Sequence, residues 1–194
     1  MEHLWAPWRM TYIGSAKQDE GCIFCTKPKE DPARDEANLL LLRGKRSFVI
    51  MNLYPYNNGH LMVAPYAHLP SISDLDAPTL TELMTTAQRC LAALGGALHP
   101  QGYNMGINQG AVAGAGIVDH VHLHIVPRWN GDTNFMPVLA DTKVMPEYLQ
   151  NTYRQLRAQL LPDAAAGTNG AAPATKGRRK SARPDRAGTG KANI

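Results

Sequence analysis

The run His120-Val121-His122-Leu123-His124-Ile125-Val126 constrains this chain more than any other stretch. Imidazole alternates with aliphatic side chains through three cycles, which is the period of a β-strand rather than a helix. Residues two apart on a strand share a face at roughly 6.6 Å spacing. The pattern therefore lines up three imidazoles on one surface while Val121, Leu123 and Ile125 turn toward a core. On a helix the same residues would fan around the cylinder and converge on nothing. Three readings follow: solvated histidines on an edge strand, imidazole ligands of a metal ion, or a nucleophilic imidazole flanked by two helpers.

The rest of the chain narrows what surrounds that strand. Its 194 residues suit one domain with appendages: an arm over 1–21, a domain over 22–161 and a tail over 162–194. The tail is rich in Ala, Gly, Pro, Lys and Arg with almost no bulky apolar group, so disorder is expected there. It carries seven Lys/Arg against Asp163 and Asp185, five net positive charges, while the whole chain is +4. The body is thus −1 and gives no electrostatic sign of a nucleic-acid groove. No run of 18 apolar residues exists to span a membrane, and the start lacks a signal-peptide core. Three cysteines do not make a disulfide framework, so a reducing cytoplasm is the expected setting.

Local patterns predict an α+β fold built on an antiparallel sheet of about five strands, with one long helix and one C-terminal helix. Strands are expected at 38–43, 47–53, 60–65, 103–108 and 120–126, with a turn over Tyr54-Pro55-Tyr56-Asn57-Asn58-Gly59. The long helix is expected over 76–98, capped by Asp76 with Pro78 in its first turn. Leu80, Leu83, Met84, Ala87, Leu91 and Leu94 form its apolar face, Cys90 joins them as a core thiol, and Gly95-Gly96 is expected to end or loosen it. After a loop to about Lys143, Pro146 opens the last helix, with Leu149, Tyr153, Leu156 and Leu160 at helical spacing.

A glycine-containing loop, Gln109 to Asp119, leads directly into the histidine strand. Backbone N–H groups in such a loop can surround an anion beside the imidazoles. A neutral imidazole is a competent nucleophile toward a phosphate held there, and its phosphorylated form is a good leaving group.

These residues carry a resemblance. Gln109 and Gly116-Ile117-Val118-Asp119-His120-Val121-His122-Leu123-His124-Ile125-Val126-Pro127-Arg128, with the upstream run Asn52 to Pro65, are similar to the signature of the histidine-triad (HIT) family of nucleotide hydrolases and transferases. The likeness covers about residues 22 to 160. Within the family it resembles the bacterial diadenosine tetraphosphate phosphorylase branch, in the Trp5-to-Met10 arm and the Pro127-to-Phe135 run. The resemblance implies His122 as a nucleophile that forms a nucleotidyl-imidazole, with His124 and His60 holding phosphate and supporting it. It also implies a nucleotide-binding set of Asn52 for ribose and Gln109, Gly116, Ile117 and His124 around phosphate, with the base in an apolar pocket. Many relatives have a polar pair where this chain has Gly116-Ile117, so backbone N–H groups must assist the leaving group here.

The same resemblance completes a metal site. Cys22-x-x-Cys25 is half of one, and some bacterial relatives add a histidine after the strand ending in Pro and the first triad histidine. Those are His68 and His120 here, giving a closed structural zinc site. The implied activity is nucleotidyl transfer from a diadenosine polyphosphate, diadenosine tetraphosphate favoured, with inorganic phosphate as acceptor. Arg128, Lys143 and Arg9 are the candidate cations to hold that phosphate. Hydrolysis by water, of a dinucleoside polyphosphate or a nucleoside phosphoramidate, is the alternative. A zinc hydrolase using all three histidines on one metal and a non-catalytic nucleotide-binding protein stand further back. A homodimer is expected, with no nucleic acid required and no membrane.

Overall fold

A computed structural model describes residues 21–132 and 145–161. The Trp5-to-Met10 arm, Lys143 and the basic tail lie outside the described residues. In chain order the elements are α1 (Ile23–Thr26), β1 (Leu40–Arg43), β2 (Ser47–Met51), β3 (Leu61–Pro65), α2 (Ala77–Leu98), β4 (Gly102–Ile107), β5 (Leu123–Arg128) and α3 (Leu149–Leu160). The five strands form one antiparallel sheet in the order β1-β2-β3-β5-β4, as expected for the α+β reading.

Period-2 alternation divides the sheet into two faces. Val49, Met51, Leu61, Val63, Leu123 and Ile125 turn to one side and form the main core with Leu83, Ala87, Cys90 and Leu94 of α2 and Tyr153, Leu156 and Leu160 of α3. Each such buried aliphatic contributes about 1.5–3 kcal/mol relative to exposure. Leu40, Phe48, Ile50, Met62 and Ala64 turn to the other side and pack with Phe24 of α1 in a second cluster. His124 lies opposite Met62 in the β3–β5 register, so the triad belongs to this second face. Helices α2 and α3 thus cover one side of the sheet, and the other, with α1, is left for chemistry.

Helix α2 begins where expected: the Asp76 carboxylate accepts from the Thr79 N–H at 2.9 Å, and Pro78 sits in the first turn. Two expectations about it need correcting. Gly95-Gly96 does not end the helix, which continues to Leu98 and stops at His99 in the left-handed region. Met84 is 48% exposed, because the buried stripe runs through Thr79, Leu83, Thr86, Ala87, Cys90, Ala93 and Leu94. The helix is rotated from the face that counting large apolar residues alone selected, and small side chains set the contact. Gly59 (φ +74) shows the same closeness: a Cβ there would lie 2.6 Å from Leu98.

Helix α3 docks on β1 through polar groups as well as its apolar stripe. The Tyr153 hydroxyl donates to the Leu40 carbonyl at 3.0 Å and accepts from Arg157 Nη1 at 2.9 Å, and Arg157 also reaches the Leu40 carbonyl. Buried Asp35 pairs with Arg43 at 2.7 Å, tying the segment after α1 to β1.

The main departure is the histidine strand. Sheet pairing starts at Leu123, so β5 spans Leu123–Arg128 rather than 120–126. His120 and His122 precede it because their polar groups are committed elsewhere, and the Val121 N–H donates to the Leu69 carbonyl at 2.7 Å. The other end runs on to Arg128, which pairs with Gly102.

Candidate active site and metal centre

His120 is fully buried, and its Nε2 lies 2.9 Å from the Pro65 carbonyl. A carbonyl only accepts, so Nε2 carries the proton and the Nδ1 lone pair is free for a metal. That Nδ1 lies 3.3 Å from Cys22 Sγ, 3.6 Å from Cys25 Sγ and 3.3 Å from His68 Nδ1, while Cys25 Sγ lies 3.3 Å from His68 Nδ1. All four donor atoms fall within 4.8 Å of one another. Tetrahedral zinc at ordinary bond lengths separates a sulfur and a nitrogen ligand by about 3.6 Å and two nitrogens by about 3.3 Å. The cluster therefore fits a zinc ion in size and donor type. Burial pushes the Cys22 thiol above its ordinary value although the backbone N–H groups of Cys25 and Phe24 work in the opposite direction, a cost that a bound cation offsets. Burial also holds His120 below the usual imidazole range, in the neutral form that ligates.

The backbone carries this cluster to the next histidine. His122, 4% exposed, places Nδ1 2.9 Å from the His120 carbonyl. Nδ1 must donate, so the lone pair of neutral His122 is on Nε2. Burial keeps the ring below the ordinary imidazole range although the carbonyl bond works in the opposite direction. The result is a neutral imidazole with a defined tautomer, the form that nucleophilic attack requires.

His124 and His60 form a directed chain. The Tyr56 N–H donates to His60 Nδ1 at 3.1 Å, with Asn52 Nδ2 at 3.5 Å from the same atom. His60 therefore bears its proton on Nε2 and donates it to His124 Nδ1 at 2.9 Å. Neutral His124 is left with its proton on Nε2, a donor suited to a phosphate oxygen. His60 is fully buried, and burial above all, followed by the charges of His124 and His122, holds its pKa down to about 3. Tyr56 stacks on His60 at 4.7 Å between ring centroids, and the His122 and His124 rings meet edge to face at 4.7 Å.

The three triad imidazoles thus do not share one metal. His120 joins the cysteines and His68, His122 turns its Nδ1 to a carbonyl, and His124 is bonded to His60. The single-metal hydrolase reading is set aside on this geometry.

Loop residues fall around the same face. Asn52 sits at the end of β2, its Oδ1 accepting from the Tyr54 N–H at 2.9 Å and its side chain beside His60. Gln109 Oε1 accepts from the Ile72 N–H at 2.6 Å and from Ser71 Oγ at 3.3 Å, which fixes its amide orientation and turns its NH₂ group outward as a donor. Within the glycine loop the N–H groups of Ala113, Gly114 and Ala115 bond carbonyls of Gly110 and Ala111. Those three N–H groups are therefore engaged within the loop itself. Ile117 packs against the second cluster. Arg128, a candidate cation for phosphate, instead forms a two-pronged pair with Asp132 at 2.6 and 2.9 Å and reaches Asn104 at 2.7 Å. Six residues of strand put it roughly 20 Å from His122. Its charge serves the sheet edge, and Lys143 and Arg9 lie outside the described residues.

Sequence reasoning missed several participants. Phe24 lies between the two cysteines, and its ring packs on His122 at 4.6 Å and His120 at 5.2 Å. Tyr56, Pro65, Leu69 and Ser71 contribute mainly backbone or stacking contacts, for which residue type gives no signal. Phe24 was traceable only as an aromatic inside the Cys-x-x-Cys spacing.

Known proteins match much of this chain. The sequence profile described as "HIT domain" matches residues 34–131. An AP-4-A phosphorylase of Mycobacterium tuberculosis is 36% identical over 164 residues, covering 82% of this chain and 84% of that protein. An asymmetrical bis(5'-nucleosyl)-tetraphosphatase of Schizosaccharomyces pombe is 36% identical over 90 residues, 46% of this chain and 49% of that protein. Among solved structures, a zinc-bound histidine triad family protein from Mycobacterium smegmatis aligns with a TM-score of 0.58 at 28% identity, covering 75% of this chain and 97% of that one.

Proposed function

Because this chain belongs to the histidine-triad (HIT) family, we propose that it cleaves a diadenosine polyphosphate, diadenosine tetraphosphate above others, by nucleotidyl transfer through His122. The observation that carries this reading is the bond from His122 Nδ1–H to the His120 carbonyl, which leaves Nε2 as the attacking lone pair. Nε2 attacks the α-phosphorus, the bond to the bridging oxygen breaks, and ATP departs. The positive charge that appears on the adenylylated ring is stabilised by the same carbonyl. Proton donation from His124 Nε2, set up by the His60 chain, suits the non-bridging oxygens of the transferred phosphoryl group. Asn52 holds the ribose, and Gln109 and the N–H groups at Gly116 and Ile117 take the phosphates.

Attack of inorganic phosphate on the intermediate gives ADP, so phosphorolysis yields ATP and ADP. Likeness to the AP-4-A phosphorylase over most of both chains supports that acceptor. The pairing of Arg128 with Asp132 favours the second reading, in which water attacks and AMP is released. Chromatography of the products from diadenosine tetraphosphate, with and without phosphate, separates the two. ADP formation that rises with phosphate is expected, and AMP in every condition means hydrolysis.

Cys22, Cys25, His68 and His120 would hold zinc, which would supply a cross-link rather than chemistry. A homodimer is part of the same reading: β4 is an edge strand whose Asn104, Met105 and Gly106 are exposed, a template for pairing with a second copy. Light scattering of the purified chain tests it. No helix among the described residues is long and apolar enough to cross a membrane.

A further inference from the structure

We propose that Phe24 is a positioning residue for the nucleophile, transmitting the geometry of the Cys22–Cys25 turn to the ring of His122. The inference rests on the nucleotidyl-transfer reading above and adds a residue to it.

A histidine ring has two side-chain torsions to fix. The bond from Nδ1 to the His120 carbonyl fixes where that nitrogen sits, yet the ring can still roll about the line of the bond. Rolling swings Nε2, the attacking atom. A flat group packed across the ring stops it. Phe24 supplies that group at 4.6 Å between centroids and 46° between planes, with His124 against another side at 4.7 Å.

Phe24 is itself held from both ends. It lies in the single turn α1 between the two cysteines, where the Cys25 and Thr26 N–H groups bond the Cys22 carbonyl at 2.9 and 3.0 Å. Both flanking thiols point into the four-residue cluster, and the Phe24 ring also contacts the ligand His120 at 5.2 Å. At 1% exposure, with Phe48 at 6.2 Å behind it, the ring has nowhere to move. His122 is therefore held by the His120 carbonyl, the Phe24 ring and the His124 ring, and the first two belong to the turns that carry the Cys22–Cys25–His68–His120 cluster. The cluster sets the aim of His122 in addition to cross-linking the fold.

The test compares Phe24→Leu with the wild type and with Leu83→Ala, a substitution on the opposite face of the sheet where Leu83 is 1% exposed. Full-length zinc-loaded proteins are assayed on diadenosine tetraphosphate, with metal content and melting temperature measured on each. Misplacing a reacting atom by about an ångström costs on the order of a hundredfold. Phe24→Leu is expected to keep its zinc and its KM while kcat and the rapid-quench rate of adenylyl-enzyme formation fall roughly tenfold or more. Leu83→Ala, which loses stability by cavity formation, should keep kcat. Should Phe24→Leu lose zinc or fail to fold, Phe24→Met, which fills the space with an unbranched chain, carries the same comparison. Wild-type kcat in the Phe24 variant, or an equal fall in Leu83→Ala, overturns the inference. His122→Asn is run alongside: activity retained there sinks the nucleophile reading itself, a separate failure.

Discussion

Acid should destabilise this protein through His60 in a measurable way. The imidazole is fully buried, accepts from the Tyr56 N–H and donates to His124, an arrangement that only the neutral ring satisfies. Its pKa is depressed from 6.5 to about 3, chiefly by burial. A depressed histidine contributes stability that is complete above the unfolded value and is lost as pH falls toward the folded one. Between pH 7 and pH 5 the unfolded chain takes up about three-quarters of a proton at this position and the native chain almost none, so unfolding gains about 2 kcal/mol. The full gap is worth about 5 kcal/mol, a large part of the stability of an ordinary domain. Urea unfolding of wild type and His60→Asn at pH 7, 6 and 5 isolates the contribution. The variant should be less stable at pH 7, having lost two hydrogen bonds, but its stability should fall by about 2 kcal/mol less on going to pH 5. Protonation of the Cys22, Cys25, His68 and His120 cluster is common to both proteins and cancels in the difference. Parallel stability curves would refute the claim that His60 is locked neutral.

Replacing His122 by Ala or Asn should abolish turnover while leaving nucleotide binding largely intact, checked by calorimetry and by the absence of a trapped adenylyl adduct. Protein purified without added metal should contain one zinc per chain by elemental analysis, and Cys22→Ser/Cys25→Ser should lose both the metal and part of the melting temperature. Tyr153→Phe should cost about 1–2 kcal/mol in chemical denaturation, because the buried Leu40 carbonyl and Arg157 each lose a partner.

Strand alternation and helix signals in the sequence carried most of the architecture, since period 2 and the Asp76-x-Pro78 start leave few alternatives. Boundaries moved where side chains bond backbone. Asn52 closes β2 with its own turn, so Leu53 is exposed rather than paired. His120 and His122 leave the sheet for the same reason, although alternation alone cannot separate a paired strand from an extended segment. Helix α2 turned its small residues inward because packing distance to the sheet and to α3, not hydrophobicity, selects the face. At the site, residue types announced the thiols and imidazoles, and family resemblance grouped them. The tautomers were not legible, because they depend on the carbonyls of Pro65 and His120 and the N–H of Tyr56, which any residue supplies. Phe24 escaped notice because an aromatic beside cysteines reads equally well as ordinary core.

The position of β5 between β3 and β4 has a consequence for biosynthesis. Cys22 meets His120 across 98 residues of chain and His60 meets His124 across 64, whereas β1, β2 and β3 pair with immediate neighbours. Contacts that close long loops form after local ones. A nascent chain can therefore build its first three strands and α2 while the thiols and His60 still wait for partners. The cysteines emerge early and wait for the imidazole of His120, so closure of the Cys22–Cys25–His68–His120 cluster and fixing of the His122 ring are expected to coincide with release of nearly the whole domain.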